Sequence, residues 1–83
     1  MVYIDNMNRK YKRMVMCHMV ADTLKELHSM ADKIGVNRKW FQSKEFHSTN
    51  HYDICQSKKK LAIKYGTKEI TTRELIEMKS KLA

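Results

Sequence analysis

Two short stretches of the chain combine histidine with carboxylates, and these are the stretches where side-chain chemistry is expected. The first runs from Cys17-His18 to His28, and the second is His51-Tyr52-Asp53. If residues 51–54 form a strand, His51 and Asp53 lie on one face and Tyr52 on the other. If that strand lies beside the start of the helix that follows His18, a group of residues would converge. Its members are His18, Asp22, His28, His51 and Asp53.

Three kinds of chemistry are open to such a group. Imidazole and carboxylate groups bind divalent metals, and a carboxylate that orients an imidazole supports acid–base catalysis near neutral pH. The same groups also hydrogen-bond a base, ribose or phosphate without reacting. The structural alternative is that Asp22 helps to cap a helix, His28 is a satisfied boundary histidine and residues 51–53 are a turn.

The sequence contains no complete catalytic or metal signature. The spacing from Asp22 to His28 does not match His-Glu-x-x-His, and His47 and His51 have helical spacing in a stretch that is a poor helix. Cys17 adjoins His18, but neighbouring residues of a strand face opposite ways. There is no Cys-x-x-Cys pair and no glycine-rich phosphate loop. A cysteine-nucleophile enzyme is therefore not predicted, and no metal ligand is assigned.

Basic residues accompany aromatic ones in two places, and the net charge of +8 favours anionic partners. Arg9 and Arg13 flank Tyr11, while Arg38 precedes Trp40. Such groups suit phosphate contacts and base stacking. The alternatives are core packing for the aromatic residues and a solvated, lysine-rich surface. A lysine run at 58–60 falls in the predicted first turn of a helix, where a bound anion would offset the helix dipole.

Length and composition limit the protein to one small domain, residues 1–83, with a thin core. A thin core makes a homodimer or higher homo-oligomer plausible. The two cysteines are expected to be free thiols in a reducing compartment, and no apolar run is long enough to span a membrane. The chain begins at Met1 without a signal peptide. It is expected to be complete and cytoplasmic.

The pattern of strands and helices predicts an α/β domain. Short apolar runs at residues 2–5, 14–17, 51–54 and 68–70 are candidate strands, although 14–17 also fits a buried lead-in to a helix. Residues 6–13 and 42–50 are predicted loops, and 37–41 a short helical turn. We expect a small single-layer sheet of three or four short strands with three main helices packed on it.

Local signals delimit these helices. Thr23-x-x-Glu26 and Thr71-x-x-Glu74 are capping boxes that begin the first and last helices. Ser57 is a candidate N-cap for the middle helix. Gly35 is expected to end the first helix in a left-handed conformation, and Gly66 to end the second helix. The predicted buried faces carry Leu24, Leu27, Ala31 and Ile34, then Leu61, Ala62 and Tyr65, then Leu75, Met78 and Leu82.

The chain resembles a family of short bacterial and phage proteins, domain-of-unknown-function family 4031. The motifs that carry the resemblance are Cys17-His18-Met19-Val20-Ala21-Asp22-Thr23-x-x-Glu26-Leu27-His28, Ile34-Gly35-Val36-x-Arg38, His51-Tyr52-Asp53-Ile54 and Glu69-Ile70-Thr71-x-Arg73-Glu74-Leu75. The resemblance covers nearly the whole chain. It implies that the polar residues of these motifs, including Tyr52 and Arg73, belong to the family pattern, whereas His47 does not.

The chain departs from that pattern in its many lysines and methionines and in a longer polar stretch before His51. This composition resembles that of a phage member of the family. By analogy, it suggests a protein that lies in the host cytoplasm and acts on host machinery.

The leading hypothesis is a non-enzymatic module that binds a phosphate-bearing ligand, most plausibly a nucleotide, and in a phage setting sequesters a host nucleotide signal. The predicted ligand-binding residues are His18, Asp22, His28, Arg38, His51, Tyr52 and Asp53, and the predicted phosphate-binding residues are Arg9, Arg13 and Arg73. One alternative is a small metal-dependent phosphoesterase that uses His18, His28, His51 and Asp53. A further alternative is a binder of DNA or of a host protein through the basic face.

Overall fold

The computed structural model describes residues 1–6, 9–11, 14–43 and 49–83; for residues 9–11, 14 and 79 it describes the backbone alone. Within these residues six strands belong to one mixed sheet: β1 Val2–Asp5, β2 Arg9–Tyr11, β3 Met14–Ala21, β4 Phe41–Gln42, β5 His51–Cys55 and β6 Lys68–Ile70. The helices are α1 Leu24–Ile34, α2 Gln56–Lys64 and α3 Thr72–Met78, with 3-10 turns at Arg38–Trp40 and Lys79–Lys81.

Five strands follow the order β4-β5-β3-β1-β6, and β2 pairs with β3 beside this path. The β1–β6 pair is parallel and the other pairs are antiparallel. The α/β class with three helices is confirmed, but the predicted three or four strands are too few. The missed strands are β2, inside a predicted loop, and β4, at the end of a predicted helical turn. They have three and two residues, too few to show a strand period in the sequence. They form because their backbone groups pair with those of β3 and β5.

The sheet has a distinct core on each face. Ile4, Met19 and Tyr52 are fully buried on the face that α1 and α2 cover. On the other face Val20 and Ile70 pack with Leu75, Leu82 and their neighbours around α3. Because side chains alternate along a strand, His18, His51 and Asp53 lie on the α3 face. His18 lies on the same face of β3 as Val20, which packs in the α3 core, but two residues before it. The three polar residues therefore lie beside the α3 core, farther along the strands.

The predicted caps have mixed outcomes. The Thr23 hydroxyl accepts from the Glu26 N–H at 3.2 Å, and Gly35 adopts φ 78°, both as predicted. Thr71 and Glu74 form both bonds of their capping box, at 3.0 and 3.1 Å. The predicted Ser57 N-cap is wrong, because β5 runs directly into α2 and Cys55 occupies the N-cap position.

Two residues predicted on buried helix faces are instead exposed. The side chain of Tyr65 is 50% exposed and that of Leu24 is 42% exposed. Tyr65 follows the last residue of α2, and Leu24 is the first residue of α1, so neither projects into the sheet-facing stripe of its helix. Among the described residues no helix has the length and apolar character that a membrane crossing requires.

Candidate functional site

His18 is held in place by a buried aspartate of the neighbouring strand. Asp5 ends β1 and is fully buried. Its Oδ1 accepts from the His18 backbone N–H at 2.9 Å, and its Oδ2 lies 2.8 Å from the His18 Nδ1. A carboxylate acceptor at Nδ1 fixes the proton on that nitrogen and directs Nε2 away from it. The Nε2 of His18 points toward Asp53, with 3.5 Å between Nε2 and Oδ1.

His51 is oriented in the same manner by the backbone. Its Nδ1 lies 2.7 Å from the carbonyl oxygen of Thr49, to which an Nδ1–H donates. Its Nε2 lies 3.6 Å from the same Asp53 Oδ1 that His18 approaches. The rings of His18 and His51 are 5.2 Å apart and meet edge to face. Both imidazoles therefore direct Nε2 toward one carboxylate oxygen.

Asp53 is held by a fourth strand. Gln42 of β4 pairs with His51 in the sheet, and its side-chain Nε2 donates to Asp53 Oδ2 at 2.7 Å. This bond leaves Oδ1 as the oxygen that faces the two histidines. The ligand atoms of His18, His51 and Asp53 all lie within 4.8 Å of one another, a grouping that fits a metal ion. We call His18, His51 and Asp53 the triad.

His28 and Tyr52, predicted as members of the same site, lie on the opposite face of the sheet. The Tyr52 hydroxyl is 2.7 Å from the His28 Nδ1, and both rings contact Phe41. Tyr52 is fully buried, and burial raises the pKa of its phenol. His28 thus satisfies a buried hydroxyl at the α1–sheet boundary, away from the triad.

Asp22 is also separate from the triad. Its carboxylate accepts from the Tyr3 hydroxyl at 3.3 Å and pairs with the Met1 ammonium at 3.4 Å. Glu26 binds the same ammonium group, which lowers the pKa of the Glu26 carboxyl. These contacts tie the N-terminus to the start of α1. The predicted convergence of five residues is therefore partial: the structure brings together His18, His51 and Asp53 only.

The predicted arginines do not reach the triad within the part of the chain that is described. Arg38 forms a two-pronged pair with Asp32, with its NH2 nitrogen 2.9 Å from Asp32 Oδ2. Arg73 is exposed and pairs along its own helix with Glu77 at 3.5 Å. The backbone of Arg9 lies in β2, whereas its side chain and all of Arg13 are outside the described residues, as is His47.

The two cysteines occupy different environments. Cys17 faces the α1–α2 core, where burial raises the pKa of its thiol to about 12. Cys55 is half-buried at the start of α2, and a hydrogen bond with the Ser57 hydroxyl at 3.2 Å lowers the pKa of its thiol. Cys17 and His18 point to opposite faces, so they do not form a thiol–imidazole pair.

A cavity of about 610 Å³ opens beside the triad. His18, Gln42 and Asp53 line it at one part, and Trp40 and Lys58 line it at another. Trp40 is 61% exposed, which is unusual for the largest aromatic side chain. The cavity volume is within the range of about 300–1,000 Å³ that is typical of small-molecule sites.

Sequence reasoning missed three residues that orient the triad: Asp5, Gln42 and Thr49. The acidic end of the first strand was visible, but nothing local related it to His18, 13 residues later. Gln42 and Thr49 fell in a predicted loop. Their roles depend on strand register and on a backbone carbonyl, which no residue pattern encodes.

Comparison with known proteins identifies the family of this chain. No match is found among curated proteins or among solved structures. The family described as "Protein of unknown function (DUF4031)" matches residues 2–82. This match includes the triad and every residue that orients it. The chain therefore belongs to the DUF4031 family.

Proposed function

We propose that the protein binds one zinc ion through His18, His51 and Asp53 and uses it to hydrolyse phosphate esters. The observation that carries the proposal is that each of the three side chains is oriented by its own second hydrogen bond. Metal-binding histidines donate their other ring N–H to a carboxylate or a backbone carbonyl, and metal-binding carboxylates are hydrogen-bonded in turn. The contacts of Asp5, of the Thr49 carbonyl and of Gln42 reproduce this pattern.

The distances favour a tetrahedral ion. Ligands about 2.1 Å from a tetrahedral zinc ion are about 3.4 Å apart, whereas neighbouring ligands of an octahedral iron site at that bond length are about 3.0 Å apart. The two imidazole nitrogens lie 3.5 and 3.6 Å from Asp53 Oδ1. Both separations also exceed the range of about 2.7–3.2 Å for a normal N–H···O bond. The two separations from Asp53 therefore match a tetrahedral zinc site, and all three ligand atoms lie within 4.8 Å of one another.

Within the described part of the chain the triad supplies three ligands, which leaves a fourth tetrahedral position for water or substrate, as in catalytic zinc sites. Zinc in such a site lowers the pKa of its bound water to about 7 and polarises a phosphoryl oxygen. His18 and Asp53 of the triad border the cavity that Lys58 also lines, so a phosphate there would meet positive charge. Hydrolysis is favoured over binding without reaction because of this open position.

Zinc stoichiometry and turnover test the proposal together. We expect one zinc per chain by elemental analysis, and zinc-dependent hydrolysis of p-nitrophenyl phosphate or bis-p-nitrophenyl phosphate. His18→Ala and His51→Ala should lose both properties. His28→Gln is the matched control because this histidine lies on the other face of the sheet and should retain both. Zinc binding that survives His51→Ala would refute the site, and stoichiometric zinc without turnover would limit the function to binding.

A further inference from the structure

We infer that the cavity beside the triad takes a mononucleotide, with the base stacked on Trp40 and the phosphate between the triad and Lys58. The inference rests on the proposed function, because it assigns the substrate class of the same site. Its basis is that one cavity is lined by two members of the triad, His18 and Asp53, and by Lys58 and the exposed Trp40. A ligand that uses all of these groups must carry a flat ring and an anionic group.

The sheet places Trp40 close to the triad. Phe41 and Gln42 of β4 pair with Tyr52 and His51, and Phe41 points into the α1–α2 core. Gln42 reaches Asp53 on the other face. Trp40 precedes this pair and lines the same cavity as Gln42 and Asp53.

The exposed ring of Trp40 offers a surface on which a base can stack. Its side chain is 61% exposed, while Phe41 beside it is partly buried against the core. The Lys39 ammonium lies 5.5 Å from the centre of the Trp40 ring, which adds positive charge near the stacking surface. Purine and pyrimidine bases stack on such aromatic side chains, and this contact tolerates any base.

Lys58 supplies the cation for the phosphate. It is half-buried in the first turn of α2, and its Nζ lies 3.1 Å from the position that a Cβ on Gly35 would occupy. The absence of a side chain at Gly35 therefore makes room for the ammonium group at the cavity wall. The phosphate of a nucleotide whose base stacks on Trp40 would lie between this ammonium and the triad.

Tryptophan fluorescence offers a direct test because the chain contains one tryptophan. Zinc-loaded protein is titrated with AMP, and with ribose 5-phosphate as the probe without a base, at low temperature and on a timescale at which a phosphate assay detects no hydrolysis of either probe. We expect AMP to quench the emission and to bind about 5- to 150-fold more tightly than ribose 5-phosphate, the range that corresponds to stacking of one base. Equal affinity for the two probes would overturn the assignment of the base to Trp40.

Variants separate this inference from the proposed function. By calorimetry, Trp40→Leu and Lys58→Ala should weaken AMP binding, and Trp40→Phe should restore part of the loss of Trp40→Leu. Tyr65→Leu, an exposed aromatic outside the cavity, is the control and should bind AMP normally. Zinc bound at one per chain with no AMP binding would refute the inference alone. AMP binding that needs Trp40, in a protein that binds no zinc, would support the cavity and refute the metal function.

Discussion

Asp5→Asn tests how the triad is oriented, because it keeps the shape of the buried side chain and changes what it can accept. The carboxylate serves two groups of His18, the backbone N–H at 2.9 Å and Nδ1 at 2.8 Å. An asparagine has one acceptor oxygen. If that oxygen keeps the backbone bond, its NH₂ group faces Nδ1, and the ring proton must move to Nε2, the atom assigned to the metal.

The expected loss follows from this change of tautomer. Substitution of residues that orient metal ligands costs about 10- to 100-fold in metal affinity, or about 1.4–2.7 kcal/mol. Zinc affinity is measured by competition with a chromophoric chelator, and circular dichroism checks that the variant is folded. Asp22→Asn is the control, since this exposed carboxylate lies outside the triad. A folded Asp5→Asn protein with wild-type zinc affinity would refute the reasoning.

Three further predictions concern reactivity and stability. At pH 8 a thiol reagent should modify Cys55 first and leave Cys17 unmodified, as mass spectrometry can verify, because their thiol pKa values are respectively lowered and raised to about 12. Arg38 lowers the pKa of Asp32, so this pair stabilises the fold above the usual aspartate pKa of 3.8 and loses its effect as pH falls through the lowered pKa of the folded state. Denaturation should show Arg38→Gln less stable than wild type at pH 6, with a difference that shrinks as the carboxylate becomes protonated. Gly35→Ala should lower the free energy of unfolding by about 1 kcal/mol or more, because φ is 78° there, and an unchanged midpoint in urea would contradict this.

The helices and most of the strands could be predicted because their signals are local. The Thr23 and Thr71 caps and the Gly35 stop act within a few residues of the turn that they define. The alternation of His51 and Asp53 around Tyr52 follows from the strand period, which predicts that both side chains lie on one face.

The composition of the site could be predicted only in part because it depends on faces and register. His18 and His28 are ten residues apart, yet β3 directs one to the α3 face and α1 directs the other against Tyr52 in the α1–α2 core. The sequence shows that both histidines are near a carboxylate residue along the chain, but packing decides on which face of the sheet each of them lies. Asp5 meets His18 through the pairing of β1 with β3 and is invisible to any local pattern.

X-ray absorption spectroscopy of the zinc-loaded protein tests the central claim most directly, because it counts and identifies the atoms around the ion. We expect four nitrogen or oxygen ligands at about 2.0–2.1 Å, with the outer-shell scattering of two imidazoles and no sulfur. His51→Ala should leave no zinc bound, because this variant is expected to lose the ion. A sulfur shell at about 2.3 Å, which would indicate Cys55 as a ligand, or a six-coordinate ion would contradict the proposed site.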